Sequence, residues 1–182
     1  SKRSSRASGF DWGIAEEVGK NIRMLEMLGI PGVKNLNHYY KIRSKKNFEK
    51  IEFIKKNNKK NQLEYCPIIT GVNFLDQVRN LESLNEIKFQ SIAFPILFLP
   101  FLSRASEVIG KKILLEVDTR SFLLNYNSSI YSNSLNDGII TIGNNIVIKF
   151  IENSDSFSET EWKELYQLSK NTFVEENESL KQ

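Results

Sequence analysis

An α+β fold, with two N-terminal helices and a C-terminal helix packed on an antiparallel β-meander, is what this sequence predicts, on three observations. Ile14, Val18, Ile22, Leu25 and Leu28 recur at helical spacing near the start. Four β-rich runs, ILLEV (113–117), SFLLNY (121–126), GIITI (138–142) and IVIKFI (146–151), follow one another between turn-forming residues. Ser158-Glu159-Thr160-Glu161 then has the form of a capping box and leads into a helix with Trp162, Leu165, Tyr166 and Phe173 expected inward.

The first helix is expected to run about four turns from Asp11 as N-cap. It ends at Gly29, where a left-handed cap would fall, and Pro31 blocks simple continuation. Pro31 suits the start of a second helix, whose Val33, Leu36 and Tyr40 share a face up to about Ile42. Residues at about 44–62 carry too few apolar groups for a core element and read as a mobile polar connection, pinned at most by Phe48, Ile51, Phe53 and Ile54.

Between Tyr65 and Phe94 the pattern is mixed. Ile68 and Ile69 suggest a strand, Phe74, Leu75, Val78 and Leu81 a helix, and Ile87 with Phe89 a strand again. Beyond Pro100, the residues Phe101, Ala105, Val108 and Ile109 fit a helix ending near Gly110. In the β-rich part, Asn136-Asp137-Gly138 and Gly143-Asn144-Asn145 are the expected tight turns, because these residues tolerate positive φ.

With 182 residues, 40% of them apolar and 26% charged, the chain suits a single domain over 1–182 and can bury a core. One cysteine, Cys66, excludes an internal disulfide, and one histidine, His38, excludes the usual Cys/His zinc sites. The longest apolar run, Ile92 to Leu102, is too short to span a bilayer and is interrupted by Pro95 and Pro100, so it reads as core. A reducing, cytoplasmic location is expected. The chain opens on Ser1 inside a basic stretch and closes at Gln182 in a polar run, so both termini are expected to be incomplete.

A net charge of +3 conceals a division: residues 41–60 hold nine basic and two acidic side chains, and the remainder is acidic. A Lys/Asn-rich patch without stacking or readout elements is a solvated face, so nucleic acid is not an expected partner.

Chemistry concentrates at the entrance to the first helix. Asp11, Trp12, Glu16 and Glu17 stand there, with Arg3 and Arg6 upstream. Carboxylates and guanidiniums this close could bind a small polar substrate, or move a proton if one carboxylate were desolvated. Asp11 is accounted for as a cap. At 100° per residue Glu16 points away from the apolar stripe and pairs with Lys20, whereas Glu17 lies on the stripe's flank near Asn21. Glu17 is therefore the catalytic candidate, with Arg6 and Trp12 as substrate-binding candidates. His38 has no nucleophile motif near it, and Cys66, between Tyr65 and Pro67, reads as a small buried side chain. No phosphate-binding glycine motif occurs, and no cofactor or metal set is named by the sequence. An oxygen-only Mg²⁺ or Ca²⁺ site is demanded by nothing in the spacing.

SGFDWGIAEEVGKNIRMLEMLGIPGVKNL resembles the opening of an uncharacterised bacterial family, domain of unknown function 3726, and AFPILFLPFLSRASEVIGKKILL is similar to its later segment. The resemblance extends to most of the chain. It nominates Gly9, Trp12, Gly13, Glu16, Glu17 and Gly19, with Thr172, Glu178 and Ser179 near the end, and implies a bacterial, cytoplasmic protein without implying a reaction.

Two functional readings follow. The first is a small-molecule metabolic enzyme, or a subunit of one, with its site at the Trp12/Glu17 entrance, completed by Glu178, which the resemblance nominates as a further substrate-binding residue, and a small polar metabolite as ligand. The second is a non-catalytic binding or assembly module forming a homo- or hetero-oligomer. Neither has a membrane as partner.

Overall fold

The computed structural model describes residues 1–60, 62–134, 138–154 and 156–172. They fall into a main unit, Ser1–Glu152, and a second unit that starts at Asn153. In the main unit a short helix α1 (Lys2–Ala7) is followed by α2 (Trp12–Met27) and α3 (Gly32–Arg43). Then come β1 (Asn57–Asn58), α4 (Pro67–Leu81), β2 (Glu86–Ala93), α5 (Leu99–Ile109), β3 (Lys112–Val117), β4 (Arg120–Asn125), β5 (Ser129–Ser132) and β6 (Ile142–Ile151). The second unit holds α6 (Glu159–Lys170). An α+β fold is what results.

The helical spacing at the start gives α2, which buries Ala15, Val18, Asn21, Ile22 and Leu25. Its end is a Schellman motif: Gly29 at φ 73° donates to the Glu26 carbonyl and Ile30 to the Leu25 carbonyl, and Ile30 is buried against the helix. Asp11 occupies the N-cap position, but its side chain makes no capping hydrogen bond. In α3 the buried face is Asn35, Leu36 and Tyr39; Val33, expected inward, is exposed.

Ile68 and Ile69 do not form a strand. Cys66 caps α4, its Sγ accepting from the Ile69 N–H at 3.5 Å, and Pro67 sits in the first turn, where its missing N–H is harmless. Gly71, without a side chain, lets α4 press against the Phe101 ring on α5, a tertiary contact that outweighs the β preference of two isoleucines. α5 ends at Gly110, as its pattern predicts.

The sheet order is β1-β2-β6-β3-β4-β5, all antiparallel except β1 with β2. Only β3-β4-β5 is a meander; β6 returns to lie between β2 and β3. Ile113, Leu115 and Val117 of β3 and Ile87 and Phe89 of β2 are buried, alternating with more exposed neighbours, so one face of the sheet carries the core beneath α4 and α5.

The turn expected at Gly143-Asn144-Asn145 is the largest departure. Those residues lie inside the ten-residue strand β6, paired to β2 and β3, and GIITI contributes only Ile142 to it. Gly143 is needed for space: a Cβ there would stand 2.5 Å from Val117 Cγ1 and 3.2 Å from Pro95 Cγ. Asn145 takes φ 50° within the strand. Asn136 and Asp137 of the other expected turn lie outside the described residues.

Residues 44–60 have little regular structure, yet Ile51 and Ile54 reach the core. Asn73 donates to the Ile51 carbonyl and Gln77 accepts from the Ile54 N–H, so α4 holds this segment through its side chains. Phe53 is exposed.

In the second unit Ser158 and Glu161 form the expected capping box. Trp162, Leu165 and Tyr166, expected inward, are 57%, 62% and 52% exposed. Periodicity identifies an apolar face and says nothing of what covers it. Phe173 lies outside the described residues.

Candidate functional site

The chain turns sharply between α1 and α2. Gly9, at φ 90°, adopts a backbone that side-chain-bearing residues rarely do, and this turns Phe10 inward. The Phe10 N–H bonds back to the Ser5 carbonyl and the Gly9 N–H to the Arg6 carbonyl. Tyr40 on α3 donates to Ser5 Oγ at 2.5 Å, tying the elbow to α3; burial pushes this phenol up to about 12, against the Ser5 bond, which opposes the shift.

Arg43, at the end of α3, is held on three sides. Its guanidinium lies 4.3 Å from the Phe10 ring centroid, its Nε donates to the Ser8 carbonyl at 3.2 Å, and its Nη1 reaches the Tyr39 hydroxyl at 3.4 Å. Tyr39 is buried, with its hydroxyl 3.0 Å from Cys66 Sγ. Burial, followed by the Cys66 thiol, raises Tyr39 far above its ordinary range, so it stays a neutral phenol. A chain of polar contacts thus runs from Arg43 through Tyr39 to the cap of α4.

Beside Arg43 opens a cleft of about 660 Å³, within the range usual for small-molecule sites. Ala7, Ser8 and Gly9 of the elbow line one part of it, Tyr40, Arg43 and Ser44 another, and Asn47, Phe48 and Lys50 a third. Among the described residues no carboxylate lines it.

The residues singled out in the sequence lie next to this cleft or apart from it. Arg6 stacks over the exposed Trp12 at 5.8 Å, and its Nη1 donates to the Phe10 carbonyl at 3.3 Å, so these two candidates do meet. Glu17 meets neither. It pairs with Arg104 of α5 and, at 3.2 Å, with Lys20. Burial raises the Glu17 carboxyl, but the hydrogen bonds from Arg104 and Lys20 outweigh it, and the group is held below the usual carboxylate range. Glu16 makes its ordinary surface pair with Lys20 at 3.5 Å, and a second with Lys2 at 2.8 Å. His38 is half-buried, with Nδ1 3.0 Å from the Lys34 carbonyl. Cys66 is fully buried. Glu178 and Ser179 lie outside the described residues.

Residues 1–65 match the family described as protein of unknown function, DUF3726. That is the family the SGFDWG opening resembles, and the match takes in α1 to α3 and every residue that lines the cleft. The later segment of α5, with Arg104, lies outside it. No curated protein and no solved structure gives a significant match.

Sequence reasoning missed Arg43 and Lys50, which lie in a basic run where nothing marks one cation from the next. It missed Arg104 because only the fold brings α5 to α2. Among the described residues no three His, Cys, Asp or Glu side chains are grouped to hold a metal ion, and no helix is long and apolar enough to cross a membrane.

Proposed function

We propose that the protein binds a small polar metabolite, as an enzyme or a subunit of one, and that the ligand occupies the cleft between Gly9 and Arg43, beside the Arg6/Trp12 helix entrance. The observation that carries this reading is that the cleft is built wholly by the family-matched segment around an arginine immobilised by Phe10, Ser8 and Tyr39. A preorganised cation loses little freedom when a ligand arrives. In this reading Glu17 is an ionised carboxylate already neutralised by Arg104 and Lys20, and its depressed pKa makes it a poor proton donor near neutrality. A bacterial, cytoplasmic setting belongs to the same proposal.

The test is a thermal-shift screen of the full chain against polar metabolites, with hits repeated on Arg43→Gln and Trp12→Ala. Loss of response in both variants supports the cleft and its entrance. A hit indifferent to both places the site elsewhere.

The assembly reading has its own support in α6, whose exposed Trp162, Leu165 and Tyr166 fall on one helical face. Sedimentation of the full chain and of a Trp162→Ser/Leu165→Ser variant tests it. Self-association abolished by the two serines favours a homo-oligomer; a monomer at all concentrations removes the homo-oligomer.

A further inference from the structure

On the reading that the Gly9/Arg43 cleft is the ligand site, we propose that the ligand carries a compact oxyanion of the phosphate type, seated between the Arg43 guanidinium and the Lys50 ammonium. Charge is the first argument. Among the described residues, two cations line the cleft and no carboxylate does. Lys46 is paired with Glu64 at 2.6 Å, and Lys20 and Lys2 with the glutamates of α2. Arg43 and Lys50 make no ion pair with any described residue, although Lys50 also borders an adjoining depression, which Glu49, Glu52 and Tyr65 line as well.

Geometry is the second argument. A guanidinium has five N–H donors. Arg43 commits its Nε to Ser8 and one Nη1 hydrogen to Tyr39, leaving the rest of the fork available. Stacked on buried Phe10, it is fixed in direction, which suits the two-point recognition of tetrahedral or planar oxyanions. Lys50 stands exposed at the rim, where a flexible ammonium can close on the same group. Asn47, which makes no hydrogen bond to a described residue, adds a neutral donor; the Ser44 hydroxyl already donates to the Lys41 carbonyl at 2.9 Å and leaves only its oxygen. The Phe48 ring offers an apolar wall to the rest of the molecule.

The experiment titrates inorganic phosphate into the ¹⁵N-labelled full chain, with chloride holding the ionic strength constant. Amide shifts should concentrate at Ser8, Gly9, Ser44 and Asn47. Lys50→Gln and Arg43→Gln should each weaken the apparent affinity about tenfold, the order expected for one charge-assisted hydrogen bond. Lys50 is a rim side chain that supports no packing, so its variant remains informative even if Arg43→Gln fails to fold. Shifts scattered over surface lysines, or a cleft response unchanged in Lys50→Gln, overturn the oxyanion. Neutral polyols and amides are titrated in parallel. If they move the cleft amides and phosphate does not, the cleft is a ligand site and only the oxyanion assignment falls. If nothing moves the cleft amides, both readings fall.

Discussion

The Arg43 guanidinium lies over the Phe10 ring at 4.3 Å, joining the end of α3 to the residue that follows the α1–α2 elbow. Phe10 is buried, so its ring serves the core on one side and the cation on the other. Replacing it by leucine keeps apolar volume and removes the aromatic face. Phe10→Leu is expected to destabilise the fold by about 1–2 kcal/mol, combining lost packing with a lost cation–π contact. Urea unfolding measures this. A variant as stable as the parent would mean that the ring does not anchor the arginine.

The interior of β6 offers a paired test. Asn144 is exposed, pairs with Ser91 through its backbone and donates its N–H to the Asp118 carboxylate at 3.2 Å, while its side chain makes no hydrogen bond to a described residue, so Asn144→Val should change stability by no more than about 0.5 kcal/mol. Asn145 stands at φ 50°, and Asn145→Val should cost about 1–3 kcal/mol because a β-branched residue is strained there. Gly143→Ala should cost a similar amount, about 1–3 kcal/mol, by forcing a methyl into Val117. Equal melting of the two asparagine variants would place the positive φ elsewhere.

These three residues also show where the sequence is readable. Helical spacing from Ile14 to Leu28 and the Gly29 stop carry a local signal, and α2 follows it closely. Gly143-Asn144-Asn145 carries the local signature of a turn, but the same residues serve a strand wherever a neighbour demands a bare backbone, and Val117 is 26 residues away. Ile68 and Ile69 were legible only as β formers until Gly71 met Phe101. The candidate site divides the same way. Arg6 and Trp12, six residues apart, are found together. The Glu17–Arg104 pair and the setting of Arg43 depend on contacts between distant segments that no spacing encodes.

Cys66 caps α4 from inside the core, with no exposed surface. Thiol reagents should therefore modify it only through opening of the fold, at a rate that rises with urea as unfolding does. Cys66→Ala removes a partner from Tyr39 and the cap from Ile69, and is expected to cost about 1–2 kcal/mol. Rapid labelling in native buffer would contradict the burial.

Glu17 and Arg104 link α2 to α5, and this pair sets an acid limb of stability. The ordinary carboxyl value is 4.5, and the folded value lies below it. The proton therefore binds more tightly to the unfolded chain, so the stabilisation is fully present above the ordinary value and is lost as pH falls through the folded one. Glu17→Gln cannot ionise, and its contribution to this slope vanishes. The variant is expected to be less stable than the parent at neutral pH, because buried nitrogen atoms of Arg104 already lack partners and would lose their counter-ion as well. The two proteins should converge as pH falls through and below the folded value. Urea midpoints measured for both across this range check it. A constant gap at every pH would show that Glu17 acts through shape alone, whereas convergence, together with a metabolite response unchanged by Glu17→Gln, would assign the residue to holding α2 against α5.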